Sequence, residues 1–166
     1  MPQELTMPEN LPPWVYQDQK PGTDREYFVN LTRTIFQAGM SWRIIANKWP
    51  NFPSAFSGFD IDKVAAYGAE DIKRLTGDAS IIRNKQKILA TLHNAREFQR
   101  IKREHGSFKA WLDSQDKSNN YDRVVKALRS CMKRVGPGTA HIFLWSVGEL
   151  ITYDPSVHSR RPREIV

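Results

Sequence analysis

The sequence has little cysteine and no long apolar run, and each absence excludes classes of protein. Cys131 is the one cysteine in 166 residues, so the chain has neither a disulfide framework nor a thiolate metal cluster. No apolar run approaches the roughly 18 residues of a membrane-spanning helix, so no membrane partner is expected. The N-terminus lacks the basic and apolar pattern of a signal peptide, and a cytoplasmic protein is expected.

Basic residues exceed acidic ones. There are 25 Lys and Arg against 18 Asp and Glu, which leaves a net charge of +7. Such an excess suits a polyanionic partner such as nucleic acid. Plain solubility explains the same excess, and the composition leaves both interpretations open.

Hydrophobic periodicity predicts an all-α fold in a single domain over residues 1–166. Phe28, Leu31 and Ile35 share one face of a helix that Asp24 would cap. No segment alternates like a strand. Residues 1–13 contain four prolines and are expected to be extended. Further helices are predicted at residues 42–49, 60–68, 69–76, 81–104, 108–112, 121–132 and 139–149, with residues 113–120 as a loop.

The longest predicted helix has an apolar face that includes Ile81, Ile88, Leu92 and Ala95. Basic side chains are assigned to its opposite face. These are Arg83, Lys85, Lys87, Arg96 and Arg100.

The stretch from Thr34 to Trp42 predicts a helix that breaks at Gly39 and restarts at Ser41, which suits an N-cap. The bend would bring Gln37 and Trp42 together. An amide and an indole at a bend can form a slot for a flat polar ring. An ordinary corner between two helices, with Trp42 in the core, explains the same pattern.

Residues 134–140 read R-V-G-P-G-T-A between two predicted helices. A glycine-rich turn that leads into a helix N-terminus points backbone N–H groups outward, where they suit a phosphate. The candidate DNA-binding residues are Lys133, Arg134, Gly136, Gly138 and Thr139. A simple helix end followed by a turn is the alternative.

The segment from Gln37 to Trp42 resembles the Q-A-G-L-S-W segment of the DNA-3-methyladenine glycosylase I family. Further matches follow in that family's order between Tyr16 and Gly148. Residues 134–140 resemble the helix-hairpin-helix element of the DNA glycosylase superfamily, whose common form is G-V-G-x-x-T-A; Arg134 takes the place of its first Gly. This resemblance implies a helix-hairpin-helix glycosylase fold with a cleft.

The resemblance also implies an activity. The protein would be a monofunctional glycosylase that hydrolyses the N-glycosidic bond of an alkylated or damaged base in base excision repair. Its implied partner is double-stranded DNA that contains such a base, and a monomer is expected. Two alternatives remain at this point: a DNA-binding protein that has lost the chemistry, and a helical protein-interaction domain with a solvated basic face.

The same resemblance implies roles for single residues. Tyr16 stands at the Tyr of the family's Y-H-D segment and would sandwich the base with Trp42; a surface-anchoring aromatic is the alternative. Thr34 replaces the family's base-reading Glu, so the base would meet a hydroxyl in place of a carboxylate.

Asp154 resembles the catalytic Asp that other superfamily members place at a similar interval after the hairpin. A turn formed by Asp154 and Pro155 is the alternative. Gly138 stands where some members carry a lysine nucleophile, so no Schiff base is expected there. Gln17 replaces the family's zinc His, and no second Cys is present, so neither zinc nor another cofactor is expected.

Overall fold

The computed structural model of the protein describes residues 13–15, 20–152 and 154–158, and these residues contain helices but no strand. The all-α prediction is confirmed. The segment predicted to be extended lies outside the described residues, except for Pro13. The helices are α1 (Asp24–Gln37), α2 (Trp42–Lys48), α3 (Phe52–Ala55), α4 (Ile61–Ala65), α5 (Ala69–Thr76), α6 (Lys85–His105), α7 (Phe108–Ser114), α8 (Ser118–Cys131), α9 (Pro137–Ser146) and α10 (Pro155–His158).

Polar side chains begin several helices by accepting a hydrogen bond from the first turn. Ser41, Asp60 and Ser107 do so for α2, α4 and α7, as their positions before apolar runs predicted. Each cap satisfies one of the backbone N–H groups that a helix start leaves unpaired. These helix starts are therefore local properties of the sequence.

The prediction that Asp24 caps α1 is wrong. The Thr23 hydroxyl accepts from the Glu26 N–H at 3.3 Å and is the cap. The Asp24 carboxylate accepts from the Phe108 N–H at 3.0 Å, so it helps to cap α7 from a distant part of the chain. Two adjacent capping residues look alike in sequence, and the tertiary contact decides which of them serves which helix.

A cluster of aromatic rings joins α1, α6, α7 and α9. Phe98 stacks on Phe108 with ring centroids 4.6 Å apart, and Phe28 and Phe143 approach these rings edge-on at 5.5 and 5.9 Å. All four rings are buried. Such rings supply much of the apolar burial that stabilises a core. Because α1 and α9 pack on the same cluster, the end of α1 and the turn before α9 are held in fixed positions relative to each other.

Lys87 departs from its predicted position on the outward face of α6. Its side chain is buried, and its Nζ donates to the Phe36 carbonyl at 3.0 Å and to the Ala38 carbonyl at 2.8 Å. Asn84 caps α6 and thereby places Lys87 in the first turn, beneath the last carbonyls of α1. A cation suits this position because the C-terminal carbonyls of a helix carry partial negative charge.

The segment predicted as a loop at 113–120 is shorter than expected, since α7 continues to Ser114 and α8 begins at Ser118. The start of α8 is irregular: Asn119, Asn120 and Tyr121 have φ angles of 55°, 53° and 64°. The Asn120 side chain bonds both backbone groups of Thr152, at 2.9 and 2.7 Å. This contact fixes the segment that leads to α10.

Candidate nucleic-acid interface and base pocket

The bend between α1 and α2 is held by Gln37. Its Nε2 donates to the Met40 carbonyl at 2.9 Å, and Gly39 has a φ of 75°, which glycine adopts at little steric cost. The Trp42 indole, at the start of α2, is 37% exposed and does not belong to the buried core. The structure therefore places an amide and an accessible indole at the two ends of one bend.

The side-chain oxygen of Gln37, Oε1, is buried, and no described residue donates a hydrogen bond to it. Leaving a buried acceptor unpaired costs about 1–3 kcal/mol, so such atoms need an explanation. Thr34 lies one turn earlier, 2% exposed, with its hydroxyl donating to the Asn30 carbonyl at 2.7 Å. Gln37 and Thr34 thus place two uncharged, buried oxygen atoms in the last two turns of α1.

Arg33 adds a feature that the sequence interpretation missed. Its guanidinium lies between the indoles of Trp14 and Trp49, 4.7 and 5.1 Å from the two rings. Its Nε is buried and finds no acceptor among the described residues, and burial lowers its pKa to about 10. The two tryptophans are far apart in the chain, so no local pattern could reveal the sandwich. The structure thus holds a cation between two indoles on the face of α1 that carries Arg33.

A cavity of about 330 Å³ lies along α1, towards the N-terminus of that helix. Asn30, whose carbonyl binds Thr34, is one of its lining residues. Its wall combines aromatic and charged side chains, and none of the predicted base-binding residues Thr34, Gln37 and Trp42 is among the described residues that line it. The lining residues are Lys20, Pro21, Arg25, Glu26, Val29, Asn30, Trp49, Pro53 and Phe59.

The turn between α8 and α9 has the geometry of an anion site. Gly136 is the N-cap of α9, with φ −86° and ψ 179°, and its carbonyl accepts from the Ala140 N–H at 2.9 Å. The N–H groups of Gly138 and Thr139 lie in the first turn of α9, before Ala140. N–H groups in the first turn of a helix have no acceptor within the helix. An anion placed there would meet these donors and the positive end of the helix dipole.

Two basic side chains project from this turn. Lys133 and Arg134 are exposed, and both backbone groups of Lys133 bond the Asn94 side chain of α6, at 2.8 and 3.3 Å. Arg134 has a φ of 63°, a left-handed conformation that costs a non-glycine residue about 1–2 kcal/mol. Strain of this kind tends to persist at functional sites. The turn is therefore held firmly while its charges face solvent.

For the two remaining predicted site residues, Tyr16 and Asp154, the structure gives less information. Tyr16 lies outside the described residues. Asp154 precedes α10, where its Oδ1 accepts from the backbone N–H and the hydroxyl of Ser156, at 2.9 and 2.7 Å. This geometry is that of a helix cap, and a catalytic role for Asp154 stays a prediction. Among the described residues no group of three His, Cys, Asp or Glu could hold a metal ion, and the expected absence of zinc also stays a prediction.

The helical fold is similar to that of a solved DNA glycosylase. A crystal structure of 3-methyladenine DNA glycosylase I matches the chain with a TM-score of 0.70 and 28% identity, over 79% of this chain and 82% of that one. The family model described as methyladenine glycosylase matches residues 14–134. The chain belongs to the methyladenine glycosylase family.

Two relatives show how the similarity is distributed. The DNA-3-methyladenine glycosylase 1 of Escherichia coli strain K12 is 47% identical over 62 residues, which are 37% of this chain and 33% of that protein. The DNA-3-methyladenine glycosylase of Haemophilus influenzae is 28% identical over 130 residues, 68% of this chain and 70% of that protein. The E. coli alignment thus spans about a third of that relative. No helix in the described ranges is long and apolar enough to cross a membrane.

Proposed function

We propose that this protein is a monofunctional DNA glycosylase that hydrolyses the N-glycosidic bond of an alkylated or otherwise damaged base of the 3-methyladenine type, in base excision repair. Membership of the methyladenine glycosylase family supports this activity, as do the names of the two relatives. The structural observation that carries the proposal is the bend between α1 and α2, where the buried Gln37 side-chain oxygen has no donor among the described residues and the Trp42 indole is exposed.

The bend supplies what an extruded base needs. A glycosylase takes its target base out of the helical stack and holds it by stacking and by hydrogen bonds to its edge. In this proposal Trp42 covers one face of the base and Tyr16 the other, and Gln37 Oε1 accepts from an exocyclic amino group. A base alkylated on a ring nitrogen is cationic in DNA and is attracted to the indole face. Thr34 contributes a neutral acceptor.

Water is the second reactant. Its oxygen attacks C1′ of the sugar while the bond from C1′ to the base breaks, and the electron pair of that bond neutralises the departing cationic base. The proton lost by the water passes to solvent or to the Asp154 carboxylate, whose negative charge also stabilises the positive charge that develops on the sugar. Gly138 stands where a lysine would be needed for a Schiff base, so the DNA strand stays intact.

Double-stranded DNA is the substrate in this proposal. The N–H groups of Gly138 and Thr139 meet one backbone phosphate, and Gly136 leaves room for its approach because it has no side chain. Lys133 and Arg134 add ionic contacts that fix the register of the protein on DNA without reading its sequence. The protein acts as a single-domain monomer in the cytoplasm and needs no zinc or other cofactor.

Base release from methylated duplex DNA, with mass spectrometry of the freed bases, tests the proposed activity. Release of 3-methyladenine is expected. Release of a different damaged base would keep the activity and assign another lesion to the pocket that contains Thr34. Salt-dependent DNA binding without any release would overturn the proposal in favour of a non-catalytic DNA-binding protein.

The role of Asp154 has its own variant. Asp154→Asn keeps the size of the side chain and removes its negative charge, so base release should fall while DNA affinity stays the same. Helix content should be compared by circular dichroism, because Asp154 also caps α10. Full activity of the variant would remove Asp154 from the mechanism.

A further inference from the structure

A cleft of about 420 Å³ opens between the end of α1 and the hairpin turn that precedes α9. Three cationic side chains line it: Lys87 from α6, Arg129 from α8 and Arg134 from the turn. No carboxylate is among the described residues that line the cleft. Its other lining residues are uncharged and are Ile35, Ala38, Met132, Val135 and Gly136.

Lys87 is the unusual member of this set. Its side chain is only 5% exposed, and it bonds the carbonyls of Phe36 and Ala38, at 3.0 and 2.8 Å, with no carboxylate partner among the described residues. A buried ammonium group without an opposite charge is expensive and marks a candidate functional position. Exposed lysines that only solubilise a protein are not built in this way.

We propose that this cleft binds one backbone phosphate of DNA through Lys87, Arg129 and Arg134, and that Lys87 is a positioning residue that ties the base-binding bend to the bound DNA. The proposal rests on the proposed function, because it names a further contact of the same substrate. The cleft is a different place from the N–H groups of Gly138 and Thr139, which belong to the first turn of α9.

The chemistry of the cleft favours a phosphate over other ligands. An ammonium and two guanidinium groups suit an oxyanion with several acceptor oxygens. The cleft borders Gly136, so a duplex held by the hairpin would carry a neighbouring phosphate past it. Phe36 and Ala38, which Lys87 bonds, flank Gln37. A phosphate on Lys87 would therefore act directly on the two carbonyls that precede the bend.

The charges around Lys87 give the proposal a second readout. Burial and, to a smaller extent, the positive charge of Arg134 together lower the pKa of Lys87 to about 8. Arg129 faces the cleft from α8, whereas Ile35 and Ala38 of α1 are uncharged. The single negative charge of a backbone phosphate next to the amine would raise the pKa of Lys87 again, and the amine would take up a proton. DNA binding above the pKa should therefore be accompanied by proton uptake.

The first experiment locates the phosphate. Wild-type protein and Lys87→Met are titrated with short duplexes that carry a stable abasic-site analogue and one uncharged methylphosphonate linkage at successive positions. One linkage is expected to lower wild-type affinity by about tenfold and to have no further effect on Lys87→Met. Lys85→Met is the matched control, since Lys85 is an exposed lysine two residues away on α6.

Arg129→Met is the second variant, in case Lys87→Met fails to fold. Arg129 is exposed, so its replacement should not affect folding. The DNA affinity of this variant should not change further when the same linkage is uncharged. Arg123→Met, also exposed on α8, is its control. If no linkage distinguishes wild type from either variant, the cleft holds no phosphate and the proposal is wrong.

The second experiment measures protons. Calorimetric titration at about pH 8.5 in buffers of different ionisation enthalpy should show uptake of about 0.7 proton per duplex bound by wild type and none by Lys87→Met. Equal uptake by both proteins would overturn the role of Lys87. Base release by wild type is assayed separately. If bases are released but no methylphosphonate linkage lowers DNA affinity, only this proposal is wrong. If one linkage lowers affinity but no base is released, only the proposed glycosylase activity is wrong.

Discussion

Lys87 is buried at the end of α1, so its charge makes the stability of the protein depend on pH. Burial lowers its pKa from the ordinary value of 10.5 to about 8. Between these values the folded protein binds fewer protons than the unfolded chain, so the free energy of unfolding rises with pH in this window. Relative to Lys87→Met, wild type is expected to gain about 2 kcal/mol between about pH 7 and about pH 9.5.

Urea unfolding of both proteins at the two pH values measures this difference. Taking wild type relative to Lys87→Met cancels the titration of the other lysines and of the tyrosines. Lys85→Met should follow wild type, because Lys85 is exposed. If wild type and Lys87→Met respond equally to pH, the Lys87 amine is solvated and the buried geometry is wrong.

Gln37 offers a second prediction for a single residue. Gln37→Ala removes the bond from Nε2 to the Met40 carbonyl and the buried acceptor Oε1. Base release should fall by about 10- to 100-fold, since a hydrogen bond to a charged ligand contributes about 1.5–3 kcal/mol. The free energy of unfolding should change by only about 1 kcal/mol, because an unpaired buried oxygen is removed together with the bond.

The measurement combines single-turnover base release with chemical unfolding. Gln99→Ala is the control. Gln99 lies in the C-terminal half of α6, away from the bend, and its side chain makes an exposed hydrogen bond to Asp62 of α4. A loss of activity no larger than that of the control would mean that the bend does not contact the base.

At the scale of structural elements, a substitution in the hairpin turn should change DNA affinity while the free energy of unfolding stays nearly the same. A Cβ at Gly136 would meet nothing within 4 Å, and its φ of −86° is allowed for alanine. Gly136→Ala should therefore leave the free energy of unfolding within about 0.5 kcal/mol of wild type. In the proposed complex a phosphate approaches the turn at this residue, so the added methyl group should lower DNA affinity severalfold.

Fluorescence anisotropy with a labelled duplex measures the affinity. Gly68→Ala is the matched control, because Gly68 is also a helix N-cap with open space around its Cβ. Equal affinity of Gly136→Ala and wild type would show that no phosphate approaches the turn at this residue.

At the scale of the whole molecule, the net charge of +7 should appear in the salt dependence of DNA binding. The logarithm of the binding constant should fall linearly with the logarithm of salt concentration, with a slope near −0.9 for each phosphate neutralised. Arg134→Met should make this slope shallower by about one. Arg103→Met, which removes an exposed charge at the far end of α6, should leave the slope unchanged.

Affinities measured at several salt concentrations give the slopes of all three proteins. A wild-type slope near zero would mean that the excess charge serves solubility alone. A slope that is equally steep after Arg134→Met would place the bound DNA away from the hairpin.

The sequence by itself determined the parts of this protein that depend on neighbouring residues. Caps such as Ser41 and Ser107, the break at Gly39 and the apolar character of α9 are local, because a helix start or end is decided by groups a few residues apart. The motifs at the bend and at residues 134–140 also lie in short segments. The all-α fold and the family could therefore be predicted, although the roles of all the predicted site residues, Tyr16 and Asp154 among them, stay predictions.

Only the tertiary structure decided where several polar side chains go. Asp24 helps to cap α7, Lys87 is buried against α1, and Arg33 lies between Trp14 and Trp49. In each case the partner comes from a distant part of the chain, and periodicity assigns a charged residue to solvent unless a partner is known. Long-range packing creates that partner, and it thereby decides where these three charges lie.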